Sequence, residues 1–277
     1  MMFRFGLSSL SIFKPGISIP TWLGRTRSDG RVPIYNFFNR APAPRNAGYS
    51  VRVTHARDYR GGRRTYDGHL GTDFAVPVGT PVVAGAPGVV LRVGSDLDRG
   101  GLKVCIDHGE GLFTTSNHLS KACVAAGERV ARGAVIGLSG ASGIEFAAFF
   151  PWLSPHLHYN VWLDGDPVDP FALPGEESIW RRRNDPSPNP GGSDRRFAPT
   201  EWDASRIDAA IGGCRDASAR RALLAIEDVG RRAAELMLLR NYRPIRFDSF
   251  PPLYRSRHRR TPHLDLPFRD FVGVSHE

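Results

Sequence analysis

The sequence predicts a mainly β protein. An antiparallel β-sandwich or barrel spans residues 51–174, an irregular arm (1–50) precedes it, and a linker (175–198) and a helical appendage with a basic tail (199–277) follow. Three observations carry this reading. Short β-branched runs separated by glycine or proline fill the stretch from Val51 to about Pro170, the texture of an all-β fold. Apolar residues at helical spacing return only after Ser205. Between the two, residues 175–198 are rich in Pro, Gly, Asn, Ser and Arg, a linker composition.

In chain order, residues 1–50 mix aromatics with Pro15, Pro20, Pro33, Pro42 and Pro44 and show neither a helical nor a strand period, so no core is expected there. Met1 to Leu7 and the apolar run to Phe13, cut short by Lys14 and Pro15 with no small-residue cleavage site, form a poor export signal. Strands are expected at Asp73–Val78, Pro81–Ala84, Gly88–Val93, Lys103–Asp107, Leu112–Ser116, Ala134–Leu138 and His156–Leu163. The linker, ending in Arg195-Arg196, should be exposed. Ser205–Ile211 and Ala217–Leu239 place Leu223, Ile226, Ala234 and Leu238 at helical spacings, which predicts two helices. From Asn241 the chain returns to Arg, Pro and scattered aromatics, a surface tail.

Composition narrows the function. With 277 residues, 41% hydrophobic and 23% charged, the chain has the make-up of a folded globular protein. No stretch approaches the roughly 18 uninterrupted apolar residues of a membrane-spanning helix, so no transmembrane segment is expected. The net charge is +9, and of the 37 basic residues only Lys14, Lys103 and Lys121 are lysines. Arginine suits bidentate contact with carboxylate and phosphate, so an anionic partner fits. No nucleic-acid-binding motif accompanies the charge, and no specific nucleic-acid partner is expected. Cys105, Cys123 and Cys214 form no C-x-x-C pair and define neither a disulfide framework nor a cysteine metal site.

The chemistry concentrates in a few histidines. In Gly68-His69-Leu70-Gly71-Thr72-Asp73-Phe74 a His and an Asp sit four apart where a glycine-rich loop enters a strand. In Pro155-His156-Leu157-His158-Tyr159 the two imidazoles leave the same face of a strand. Imidazole nitrogens and a carboxylate oxygen are usual zinc ligands, and a catalytic site needs three protein ligands and an open fourth position. His69, Asp73 and one of His156 or His158 meet that count. The remaining histidine would stand beside the open position, with an ordinary pKa near 6.5 suited to proton exchange. His118, in Thr114-Thr115-Ser116-Asn117-His118-Leu119-Ser120, closes another predicted strand.

In this order the motifs resemble the lysostaphin-type, or LytM-like, zinc metallopeptidases that cut bacterial cell-wall peptides. The resemblance covers about residues 51–170 and rests on His69-x-x-x-Asp73, Asn117-His118-Leu119-Ser120 and His156-Leu157-His158. Supporting stretches are Gly79-Thr80-Pro81-Val82, Gly88-Val89-Val90, Ile106-Asp107-His108-Gly109, Ile136-Gly137, Asp164-Gly165 and Asp169-Pro170. It implies a barrel-sandwich of the duplicated-hybrid-motif type, Zn2+ held by His69, Asp73 and His158, and His118 and His156 flanking the open zinc position as catalytic residues. It also implies peptidoglycan peptides as substrate, a periplasmic or extracellular location and, with it, anionic envelope polymers or lipid head groups as partners of the basic charge. No glutamate is placed as in an H-E-x-x-H helix, so the proton released in hydrolysis falls to His118 or His156.

Three features depart from the family's pattern. Ser116 replaces an aromatic, Asn160 stands where an acidic residue is common, and Ile144 to Ser154 replaces a short glycine-containing loop. That segment reads either as a longer loop burying its aromatics or as a reshaped groove wall that changes substrate choice. The competing class is a non-catalytic wall-binding or regulatory module, disfavoured because all five site positions are present. His108 is expected to be structural, and His55, His258, His263 and His276 to be arm or tail residues, with Pro262-His263-Leu264-Asp265 solvated.

Overall fold

A computed structural model of the chain describes residues 13–40, 53–57, 63–66, 69–98, 100–149, 152–188, 194, 197–254 and 257–276. The export-signal reading of Met1 to Leu7, and Arg195-Arg196, lie outside the described residues. In order, the elements are α1 (Pro15–Trp22), β1 (Arg31–Asn36), β2 (Val53–Arg57), β3 (Arg63–Tyr66), β4 (Thr72–Ala75), β5 (Pro81–Val83), β6 (Gly88–Asp96) and β7 (Gly101–Asp107). There follow β8 (Leu112–Leu119), β9 (Lys121–Ala122), β10 (Arg129–Val130), β11 (Val135–Leu138), α2 (Ile144–Phe149), β12 (His156–Leu163) and β13 (Asp166–Val168). The chain ends with α3 (Ala204–Gly212), α4 (Ala217–Leu224), α5 (Val229–Tyr242) and β14 (Gly273–His276).

Each strand expected from the β-branched runs is present. The main sheet runs β10-β6-β7-β8-β12-β4-β1-β14 with β13 beside β12, a second sheet runs β5-β11-β9, and β2 pairs with β3. The principal core draws Val82 from β5, Ile136 from β11 and Val90, Val104, Ile106, Leu157, Tyr159 and Val161 from the main sheet. The sandwich is open rather than a closed barrel, because β10 and β14 end the main sheet without pairing to each other. Nor is it wholly antiparallel: β1 and β14 pair in parallel, Arg31 with Gly273 through Ile34 with His276.

The outer segments take a larger part than their composition suggests. The arm supplies α1 and β1, and Val32 and Ile34 are fully buried in the principal core. Ile179 and Trp180 of the expected exposed linker are also in that core, with Leu264, Leu266, Phe268, Phe271 and Val274 of the tail. Leu264 and Asp265, expected to be solvated, are buried, and Asp265 pairs with Arg132 at 3.1 Å. These apolar residues sit in irregular chain or short strands, so they bury without imprinting a period on the sequence.

The appendage holds three helices where the spacing suggested two. Asp228 begins α5 afresh by accepting from Arg231 N at 2.7 Å, and Asp216 and Asp203 cap α4 and α3 in the same way. Their apolar faces (Ile207, Ala210, Leu223, Ala233, Leu236, Met237) pack with Leu91, Cys105, Phe113 and Trp162 of the main sheet into a second core. The helices therefore cover one face of the sheet rather than standing apart from it.

Candidate metal centre and active site

Strand register brings the candidate residues together. His158 of β12 pairs with Asp73 of β4 on one side and with Asn117 of β8 on the other. Residues alternate across a strand, so His156, His158, Asn160 and Trp162 share a face while Leu157, Tyr159 and Val161 enter the principal core. Trp162 anchors the helical layer at one end of that face, and the polar cluster lies at the other end.

Donor atoms of His69, Asp73 and His158 all lie within 4.8 Å of one another. Asp73 Oδ2 is 2.9 Å from His69 Nε2, and Asp73 Oδ1 is 2.7 Å from His158 Nδ1 and 3.6 Å from His156 Nε2. Backbone carbonyls fix the rings. A carbonyl only accepts, so in the neutral imidazole the contact of His69 Nδ1 with Phe37 O at 2.7 Å puts the proton on Nδ1. The lone pair of His69 Nε2 then faces a carboxylate oxygen. Two acceptors at that distance call for a cation between them, and two imidazoles with one carboxylate are a zinc donor set.

Two further histidines border this group. His156 Nδ1 donates to Ser154 O at 2.7 Å and His118 Nδ1 to Ser142 O at 2.8 Å, which leaves each Nε2 lone pair available. Their rings lie 4.8 Å apart, and His118 is 5.9 Å from the His158 ring. His118 sits at φ 62°, in the left-handed region, held by its N–H donating to Gly100 O at 2.9 Å. A non-glycine residue there costs about 1–3 kcal/mol, strain that aims the ring at the cluster.

Burial and charge act in opposite directions here. Burial alone would raise the Asp73 carboxyl, but His69, His156 and His158 around it hold it well below the usual carboxylate range. Burial, with His156 and His158 nearby, keeps His118 well below the ordinary histidine value, and burial also lowers His158. Both histidines are thus neutral and can offer a lone pair at neutral pH.

All five expected side chains meet in one place. His108 lies elsewhere, its nitrogens taken by Pro87 O and Thr114 Oγ1 at 2.9 Å each, and burial pushes it down to about 3. His258 pairs with Asp164, and His263 is half-buried. The sequence noted Asn160 only as a departure, yet it organises the surroundings of His158. Its Nδ2 donates to Leu70 O at 2.6 Å and lies 3.0 Å from His158 Nε2, while its Oδ1 accepts from Thr115 Oγ1 at 2.8 Å and Asn117 Nδ2 at 2.7 Å. The Phe37, Ser142 and Ser154 carbonyls carry no side-chain signal and were invisible in the sequence. The replaced loop contains α2, whose Phe146 packs on His118.

Part of the chain is similar to known proteins. Residues 67–170 match Peptidase family M23. Over that segment the chain is similar to the family. Over 112 residues the chain is 41% identical to an uncharacterized metalloprotease of Haemophilus influenzae, covering 40% of this chain and 22% of that protein. Over 101 residues it is 43% identical to the peptidoglycan DD-endopeptidase ShyA of Vibrio cholerae, covering 36% of this chain and 22% of that one. The chain thus spans about a fifth of the length of these relatives. A solved structure, the catalytic domain of lysostaphin from Staphylococcus simulans, is 27% identical over 48% of this chain and 86% of that one, with a TM-score of 0.34.

Proposed function

We propose that the protein is a zinc metalloendopeptidase that hydrolyses peptide bonds in peptidoglycan stem peptides or cross-links. The observation that carries this is the convergence of His69, Asp73 and His158 donors within 4.8 Å, with the His118 and His156 rings beside them. His69 Nε2, an Asp73 oxygen and His158 Nδ1 would hold the metal. When bound, zinc supplies Lewis acidity, polarising a carbonyl and lowering the pKa of a water. The protein's own residues do the rest. Phe37 O and Asn160 orient the ligand rings. The Nε2 atoms of His118 and His156 are each freed by a carbonyl at Nδ1; one of the two accepts the proton of the attacking water and returns it to the leaving amine, and the other stabilises the developing oxyanion.

A wall-binding module without activity needs none of this proton machinery, and the presence of all five side chains favours the enzyme. The homology to wall peptidases supports action in the cell envelope, and among the described residues no helix is long and apolar enough to cross a membrane. The +9 charge supports attraction to anionic envelope polymers or lipid head groups. Digestion of purified sacculi with and without a chelator, with released ends identified by mass spectrometry, tests the reading. New amino termini that vanish with chelator and return with zinc are expected. Sacculi left intact by zinc-loaded protein, together with intact soluble stem peptides, would overturn it.

A further inference from the structure

Four of the five side chains assigned to chemistry are almost sealed from solvent, and His158 is partly exposed. His69, Asp73, His118 and His156 are 6%, 2%, 5% and 3% exposed. What covers His118 and His156 is the segment that replaces the short loop. Phe146 of α2 packs edge-on against His118, ring centroids 5.1 Å apart, and lies 5.2 Å from the His156 ring. Tyr35 of β1 stacks on His156 at 6.1 Å. The same tyrosine donates its hydroxyl to Trp152 O at 3.0 Å, and Trp22 at the end of α1 donates Nε1 to Leu153 O at 3.2 Å. Ile17, Tyr35, Ala75, Phe146 and Leu153 form a small apolar cluster separate from the two larger cores.

We propose that α2 and the Trp152-Leu153-Ser154 stretch form a lid over the catalytic face, fastened shut by Trp22 and Tyr35 of the arm, so that the folded chain is latent. This rests on the metallopeptidase reading and adds its regulation. A scissile bond must come within about 3–3.5 Å of the groups that act on it, and the Phe146 ring occupies the approach to both flanking histidines. The lid has ends suited to movement: Gly143, at φ 109°, precedes it, and Pro155 closes it before β12. Its apolar cluster is its own, so lifting it leaves both main cores intact, the condition for a local opening rather than unfolding. Closure also buries Glu145 Oε2 with no hydrogen-bond partner among the described residues, a cost that opening removes.

The test uses the full zinc-loaded chain and two variants, Tyr35→Phe and Phe146→Ala. Diethylpyrocarbonate modification of His118 and His156, followed by mass spectrometry against the exposed His276, reads the lid without reference to activity. Cleavage of a soluble stem peptide reads its consequence. Modification of the parent should be slow, rising about fivefold in Tyr35→Phe, as expected for one lost hydrogen bond, and further in Phe146→Ala, with cleavage rising in parallel. Tyr35→Phe removes a single oxygen, and it decides the matter if Phe146→Ala fails to fold. Equal modification rates in parent and variants would overturn the lid. Faster modification with no cleavage in any form would leave the lid standing and refute the peptidase reading. A parent that cleaves as fast as Phe146→Ala would refute latency.

Discussion

Replacing Asn160 by leucine, a change of similar size that removes every polar atom, tests whether the zinc site is organised from behind the ligands. Asn160 is fully buried and joins four groups, two through each end of its amide. After Asn160→Leu, Asn117 Nδ2 keeps His158 O at 3.1 Å, but the Leu70 carbonyl, the Thr115 hydroxyl and His158 Nε2 lose their partner. A buried polar group left unpaired costs about 1–3 kcal/mol; fully buried Thr115 bears that cost in full, and partly exposed Leu70 and His158 add less, so stability should fall by about 2–6 kcal/mol. The His158 ring also loses the contact that sets its orientation, which typically weakens metal binding about 10- to 100-fold. Urea unfolding gives the first quantity and zinc competition against a chromophoric chelator the second. If Asn160→Leu binds zinc within twofold of the parent, the residue is only a packing element. If stability is also unchanged, the hydrogen-bond network is misassigned.

Other expectations follow from the same geometry. His69→Ala should lose zinc binding. At zinc a thousandfold above Kd, the parent should gain about 4 kcal/mol over its chelated form, a rise of roughly 10 °C in Tm that the variant lacks. A chain ended after Pro174 loses Ile179, Trp180, Leu264, Leu266 and Phe268 from the principal core. At about 1.5–3 kcal/mol each, that loss rivals a whole domain's stability, and calorimetry of the truncated chain should show no cooperative transition. Of the three cysteines, Cys123 is exposed while Cys105 and Cys214 are buried, the Cys105 thiol being pushed up to about 12 by burial. Titration with a thiol reagent should count one group in the native protein and three in denaturant.

The site was legible in the sequence because its chemistry restricts residue type. Zinc ligation admits few side chains, and two imidazoles at i and i+2 of a strand must share a face, so His156-Leu157-His158 carried its geometry in its spacing. The strands were legible for a related reason, since glycine and proline punctuate β-branched runs over distances of a few residues. What could not be read was everything settled between distant segments. Val32 and Ile34 flank Pro33 in a strand whose neighbours are β4 and β14, and nothing within the arm announces either partner. Trp180 is fully buried against Phe74, Tyr159 and Phe171, yet it sits in a run of turn residues whose local composition is that of a linker. The Phe37 and Ser154 carbonyls orient His69 and His156 through backbone atoms, which every residue possesses, so no sequence pattern marks them. Phe146 shows the same limit at the point where it matters most for function. In the sequence it is one aromatic among several in a replaced loop, and only its placement 5.1 Å from His118 turns that loop from a length difference into a cover over the active face.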